Sequence, residues 1–174
     1  MGEGRIEIRE PDAVAARTYV PELADLLKDC VEDGASLGFP SPLGLDVART
    51  YWQGVAHAIE AGQHVLLVAG DPIVGTVQLR FSSFPNGRHR AEVAKLLVHS
   101  SARKRGLGTR LMERVEQEAA RRGITLLVLD TQTGSGAENL YRKLGWESAG
   151  VIPDFAFTPF GQLAPSTFFF KRLR

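Results

Sequence analysis

A mixed, mostly antiparallel sheet of about seven strands with helices on both faces, an α/β (α+β) arrangement in a single domain over 1–174, is the fold class this sequence predicts. Three observations carry it. Apolar runs of strand length recur at 64–69, 73–82, 91–99 and 126–131. Between the third and fourth runs lies one amphipathic helical stretch, the crossover that a parallel strand pair requires. A chain of 174 residues also buries about two-thirds or more of its extended surface, enough for one core without disulfide staples.

In chain order, Ile6 and Ile8 alternate with Arg5, Glu7 and Arg9, a short half-buried strand that stops at Glu10-Pro11. Residues 12–32 are helical in period, and Pro21 within them demands either a kink or a new helix with the proline in its first turn. Gly34 suits a C-terminal stop. Residues 34–44 hold too much Gly, Pro and Ser for a regular element but carry Leu37, Phe39 and Leu43, so they read as a loop with apolar contacts. Asp46 offers an N-cap to a helix reaching about residue 61, with Trp52, Val55, Ala56 and Ile59 inward and Gly62 closing it.

Residues 64–69 and 73–82 are strands joined by the turn Gly70-Asp71-Pro72, and 84–88 turn the chain into the 91–99 strand, completing an antiparallel meander. A helix over 106–122 ends at Gly123, and the strand 126–131 returns parallel to 91–99. Ser135 and Glu138 have capping-box spacing for a helix that shows Leu140, Tyr141 and Leu144 on one face and ends at Gly145. A strand over 146–151, a loop over 153–165 bearing Phe155, Phe157 and Phe160, and a last strand over 167–173 complete the chain. No repeat, linker or low-complexity tract interrupts it.

The stretch 92–109 organises the rest, with a strand, a basic glycine loop and a helix in succession. Leu111, Met112, Val115 and Ala119 make one helical stripe, so the helix buries one face and begins at the glycines. A helix start has unpaired N–H groups and the positive end of the macrodipole, which suits a phosphate. Gly106 and Gly108 allow close approach and positive φ, and Arg103, Lys104 and Arg105 add charge at the same point. The nucleoside-triphosphate loop is excluded because Gly108 is followed by Thr109-Arg110, and the dinucleotide fingerprint because Leu111 stands where its third glycine would be.

What remains is Arg-x-x-Gly-x-Gly over Arg103, Gly106 and Gly108, placed between a strand and an amphipathic helix. It resembles the pyrophosphate signature of the GNAT superfamily of acyl-CoA-dependent N-acyltransferases. Tyr141-Arg142-Lys143-Leu144-Gly145-Trp146 resembles that superfamily's second signature, and the predicted order of elements matches over the whole chain. Within the superfamily, 34–39, Pro85-Asn86-Gly87, Arg90-Ala91-Glu92-Val93, Lys95-Leu96, Leu129-Asp130-Thr131 and Phe170-Lys171 resemble the tabtoxin-resistance acetyltransferases, whereas the phenylalanines of 153–161 depart from them.

The resemblance implies acetyl-CoA as co-substrate, held by Arg103, Lys104, Arg105, Gly106, Leu107, Gly108 and Thr109 at the pyrophosphate. It also implies that main-chain groups of Leu96 and Val98 hold pantetheine beside a strand bulge, and that Asn139 and Tyr141 reach it from the last helix. Glu92 and Asp130 are implied as bases for the acceptor amine, acting directly or through water, and Tyr141 as the acid that protonates the coenzyme A thiolate. Residue types alone leave another role open, since strand-end carboxylates also cap turns or pair with Arg90 or Lys95, and Tyr141 also fits a packed core. The implied activity is acetyl transfer to the amine of a small molecule, with an amino-acid-like antimetabolite or antibiotic as one candidate. The alternatives are a sensor that binds acyl-CoA without turnover and an enzyme for a protein or peptide amine.

Composition bounds the partners. Lys and Arg total 21 against 20 for Asp and Glu, so no global field holds nucleic acid. No apolar run approaches the roughly 20 residues that span a bilayer, and Met1-Gly2-Glu3-Gly4-Arg5 lacks a signal-peptide core, so a cytoplasmic protein is expected, as monomer or homodimer. The lone cysteine, Cys30, lies in an apolar helical pattern with Leu23, Leu26, Leu27 and Val31 and reads as a small core residue. His57, His64, His89 and His99 lack metal-ligand spacing.

Overall fold

The computed structural model describes residues 6–173; Arg5 of the first strand and the Met1-Gly2-Glu3-Gly4 segment lie outside them. Strands β1 (Ile8–Arg9), β2 (His64–Ala69), β3 (Gly75–Phe81), β4 (Arg90–Val98), β5 (Leu126–Gln132), β6 (Glu147–Phe157) and β7 (Leu163–Arg172) form one seven-stranded sheet in the order β1-β2-β3-β4-β5-β7-β6. Helices α1 (Ala13–Thr18), α2 (Val20–Glu32) and α3 (Leu45–Glu60) pack on one face of the sheet, while α4 (Leu107–Arg121) packs on the other over β2–β4 and α5 (Gly136–Lys143) beside it over β5 and β7. The β4–β5 pair is parallel, with α4 as its crossover, and the remaining pairs are antiparallel. Fold class and element order match the expectation.

The two helical layers read opposite faces of the same strands. Leu67, Val77 and Leu79 join Leu111, Met112 and Val115 of α4, whereas Leu66 and Val68 join Leu23, Leu27 and Trp52 beneath the other face. Of the two readings of Pro21, the new helix is right: the break falls at Tyr19, and the proline occupies the first turn of α2, where its missing N–H costs nothing.

Three local expectations are corrected. Gly44 rather than Asp46 caps α3, and Asp46 sits in the first turn, where its charge still favours the dipole. The Ser135 hydroxyl accepts from the Glu138 N–H as a capping box requires, but the Glu138 carboxylate reaches back to the Gly134 N–H, one residue beyond the usual partner. The predicted loop over 153–165 is mostly hairpin. β6 runs on to Phe157 and β7 starts at Leu163, with register shifts between Ser148 and Gly150 and between Ile152 and Ala156 absorbing Ala149 and the Pro153-Asp154-Phe155 kink. Phe155 packs edge-on against Phe168 at 5.1 Å, and the hairpin tip reaches the α2–α3 loop, where the Ser41 N–H donates to the Pro159 carbonyl at 2.9 Å.

Candidate active site

The site is built by a failure of strand pairing. β4 and β5 are paired only over 90–92 and 126–128, and beyond Glu92 and Val128 they diverge. On its other side β4 bulges. Thr76 pairs with Leu97 and Gln78 with Ala94, so Lys95 and Leu96 stand opposite Val77 alone, and Lys95 takes φ +51°. The bulge reverses the alternation. Ala91 and Val93 face α4 before it, Leu96 and Val98 face α4 after it, and Leu97 turns to the α1–α3 layer. Since the His99 N–H bonds the Val74 carbonyl, ladder alternation turns the main-chain groups of Leu96 and Val98 away from β3 toward the gap.

That gap is a cleft of about 880 Å³, walled by β4, β5, the α4 N-terminus, α5 and residues 34–37. Leu96, Val98, Arg103, Lys104, Gly106, Leu107, Gly108, Thr109, Asp130, Asn139 and Tyr141 all line it. Two of the expected residues do not. Arg105 is exposed and outside the lining, and Glu92 sits beside the cleft with its carboxylate 3.7 Å from Arg80, a partner other than the Arg90 or Lys95 that spacing suggested.

At the loop, Gly106 adopts φ +75° and caps α4 without any side chain, so the first-turn amides of α4 face the cleft unmasked. Lys104 also takes positive φ, at +62°, whereas Gly108 is helical, and its missing side chain leaves room next to Leu140. Arg103 lines the cleft and is also a brace of the fold. Its guanidinium pairs with Asp33 of the α2 C-terminus, and its Nε donates to the Val98 carbonyl at 2.9 Å. The Cys30 thiol also points at that carbonyl, and burial pushes its pKa up, as befits a core residue. The helix end and Lys104 both bring positive charge to the α4 start.

Along the cleft, Tyr141 is buried, and burial, followed by the nearby Asp130 charge, pushes its hydroxyl up to about 12. Asp130 stands just past the last β4–β5 pair, and its carboxylate accepts from the Ser166 hydroxyl of β7 at 2.8 Å. Residues that the sequence reading passed over gather on the α3 side. The Tyr51 hydroxyl accepts from Arg80 at 2.9 Å and from the Gln78 amide at 2.9 Å, and Lys95 holds its ammonium 5.9 Å from the Phe39 ring centre and 5.7 Å from that of Tyr51. A signal for Lys95 was present. Strict alternation from Ala91 and Val93 would put this lysine in the core, so a bulge was needed to rescue it.

Comparison with known proteins supplies the family. The pattern of the acetyltransferase (GNAT) family matches residues 22–146. An uncharacterised N-acetyltransferase of Methanocaldococcus jannaschii is 29% identical over 147 residues, covering 78% of this chain and 64% of its own length. Among solved structures, ribosomal-protein-alanine N-acetyltransferase from Brucella melitensis superposes with TM-score 0.80 at 25% identity, covering 96% of this chain and 99% of that one. A putative acetyltransferase from Salmonella typhimurium, solved with its cofactor acetyl-CoA, superposes at 0.78 with 20% identity, covering 98% and 95%. The family pattern thus spans most of the chain, including the strand, glycine loop and helix that open the cleft, and the chain belongs to the acetyltransferase (GNAT) family.

Proposed function

We propose that this protein transfers the acetyl group of acetyl-CoA to the amine of a small molecule. The observation that carries the reading is the cleft itself, with an uncapped helix start at one end and a carboxylate and a phenol along its length. The first-turn amides of α4 and Lys104 take the pyrophosphate, and the outward main-chain groups of Leu96 and the Val98 N–H hold the pantetheine arm, with Asn139 at its α5 side. The acceptor nitrogen attacks the thioester carbonyl carbon, Asp130 takes the nitrogen's proton, the C–S bond breaks, and the sulfur leaves beside Tyr141.

Magnitudes support a donor role for Tyr141. A phenol near 12 keeps its proton at every working pH, while an ordinary thiol titrates near ~8.5, so in water the phenol would be a poor acid toward that thiolate. Within the cleft it works first as a hydrogen-bond donor to the developing negative sulfur, and the desolvation that raises the phenol also raises the basicity of the thiolate.

A small acceptor is favoured over a protein segment because the α2–α3 loop that walls the cleft is braced from outside by the β6–β7 tip, through Ser41 with Pro159 and Gly34 against Phe160. The likeness to tabtoxin-resistance acetyltransferases supports an amino-acid-like antimetabolite or antibiotic as the acceptor. Release of coenzyme A thiol, followed with a panel of amines, tests the activity. Acetyl-CoA that binds by calorimetry yet yields no thiol with any amine or peptide would favour the sensor instead.

Gly108→Asp tests the cofactor end. The new Cβ meets Leu140 at an ordinary 3.4 Å, so the fold should persist, but the carboxylate would stand where the pyrophosphate meets the helix. Acetyl-CoA affinity should fall about tenfold or more, with the melting temperature little changed. Unaltered affinity in a calorimetric titration would remove the assignment.

A further inference from the structure

Of the charged residues that line the cleft, Arg103 pairs with Asp33, Lys104 stands at the α4 start and Lys143 on α5, and Lys95 and Asp130 are the two on the diverging strands. Arg80 faces Glu92 and is bonded to Tyr51 and Gln78. Lys95 and Asp130 form no ion pair with each other. Lys95 also makes no hydrogen bond among the described residues; its ammonium lies over the Phe39 and Tyr51 rings and within the field of the Glu92 and Asp130 carboxylates. Ring faces attract a cation without accepting its N–H bonds in line, so three donors remain for a ligand. A positive and a negative group therefore flank the space in which the acceptor must sit.

We propose that Lys95 selects the acceptor: its ammonium binds a carboxylate carried by the same small molecule whose amine lies beside Asp130, which makes the substrate class an amino acid or a close analogue. This rests on the acetyl-transfer reading above. A zwitterion placed amine to Asp130 and carboxylate to Lys95 neutralises both groups at once, and neither end needs a counter-ion from water. Burial, then Arg80, lowers the lysine pKa while Glu92 and Asp130 oppose the shift, and an anion at its tip would favour the charged form further. The backbone does not restrict the test. At φ +51° Lys95 already carries a Cβ, so glutamine adds no strain there.

The experiment compares the twenty L-amino acids with their carboxamides, which keep the amine and lose the anion. For the best acceptor, the wild type should show a KM roughly ten- to a hundred-fold lower for the acid than for the amide, the range of one charge-assisted hydrogen bond. Lys95→Gln should erase that preference by raising KM for the acid alone, with kcat within about threefold, and Lys95→Arg should restore part of it. Equal KM values in the wild type, or a preference that survives Lys95→Gln, overturns the proposal. Calorimetry of the same acid and amide with protein saturated in coenzyme A needs no turnover. Failure of thiol release with every amine would strike the acetyl-transfer reading, and equal binding of acid and amide would strike Lys95.

Discussion

Tyr141→Phe is expected to lower kcat by roughly 10²- to 10⁴-fold, the usual worth of a positioned proton donor, while acetyl-CoA affinity stays within a few-fold. The variant loses one oxygen from a buried ring that packs against Trp146 and Phe169, so the fold is preserved. Because burial and the Asp130 charge hold the hydroxyl up to about 12, it stays protonated throughout any practical range. The deficit should therefore be the same at every pH from about 6 to 10. Asp130→Asn should differ in kind. Its loss removes a proton acceptor, so its rate should recover in part as alkaline pH supplies free amine. Glu92→Gln should lose less than Asp130→Asn, because Glu92 lies outside the cleft lining and is held by Arg80. Normal kcat in Tyr141→Phe would return that residue to plain packing, and normal kcat in both carboxylate variants would mean the amine arrives already deprotonated.

Trp52→Ala should cost about 3–5 kcal/mol of stability, the usual price of removing a large buried aromatic ring. Trp52 is 1% exposed and sits between α2, α3 and the β2 face, with Tyr51 edge-on at 5.1 Å. For a domain of this size the melting temperature should fall by roughly 6–20 °C. Trp52→Phe should lose far less, since the indole Nε1 is buried without a partner among the described residues and the phenyl ring removes that unsatisfied N–H. Calorimetric melting of the two variants checks this, and equal losses would assign the effect to the indole ring's size alone. Since Tyr51 shares that contact, the alanine variant should also loosen the wall around Lys95.

What the sequence revealed and hid divides along one physical line. Local chemistry was legible. Alternation gave the strands, glycines gave the helix ends, and Arg-x-x-Gly-x-Gly with its flanking periodicity located the cleft before any coordinates. Pairings between distant residues were not. Arg103 looks like a phosphate ligand in its own neighbourhood, and only the fold brings Asp33 of α2 against it. Likewise Glu92 meets Arg80 because β3 and β4 are adjacent in register. The β6–β7 hairpin was misread for a different reason. β6 is exposed along its whole length, so no burial pattern imposes alternation, and Pro153, Gly150 and Gly161 speak for a loop unless bulges at or beside the first two keep the ladder going.

Three residue pairs, 90–92 with 126–128, and the His89 carbonyl beside them, which accepts from the Thr125 and Leu126 amides, make the short backbone ladder that joins the β1–β4 half of the sheet to the β5, β7 and β6 half. Mechanically the molecule is two plates on a short hinge, kept together by the α4 connection and the apolar layer beneath it. Any molecule lodged between the plates touches both and works as a strut. Occupancy should then stiffen the whole sheet rather than the cleft alone, and amide hydrogens near the hinge, at Val93 and Leu129, should exchange more slowly in the liganded protein.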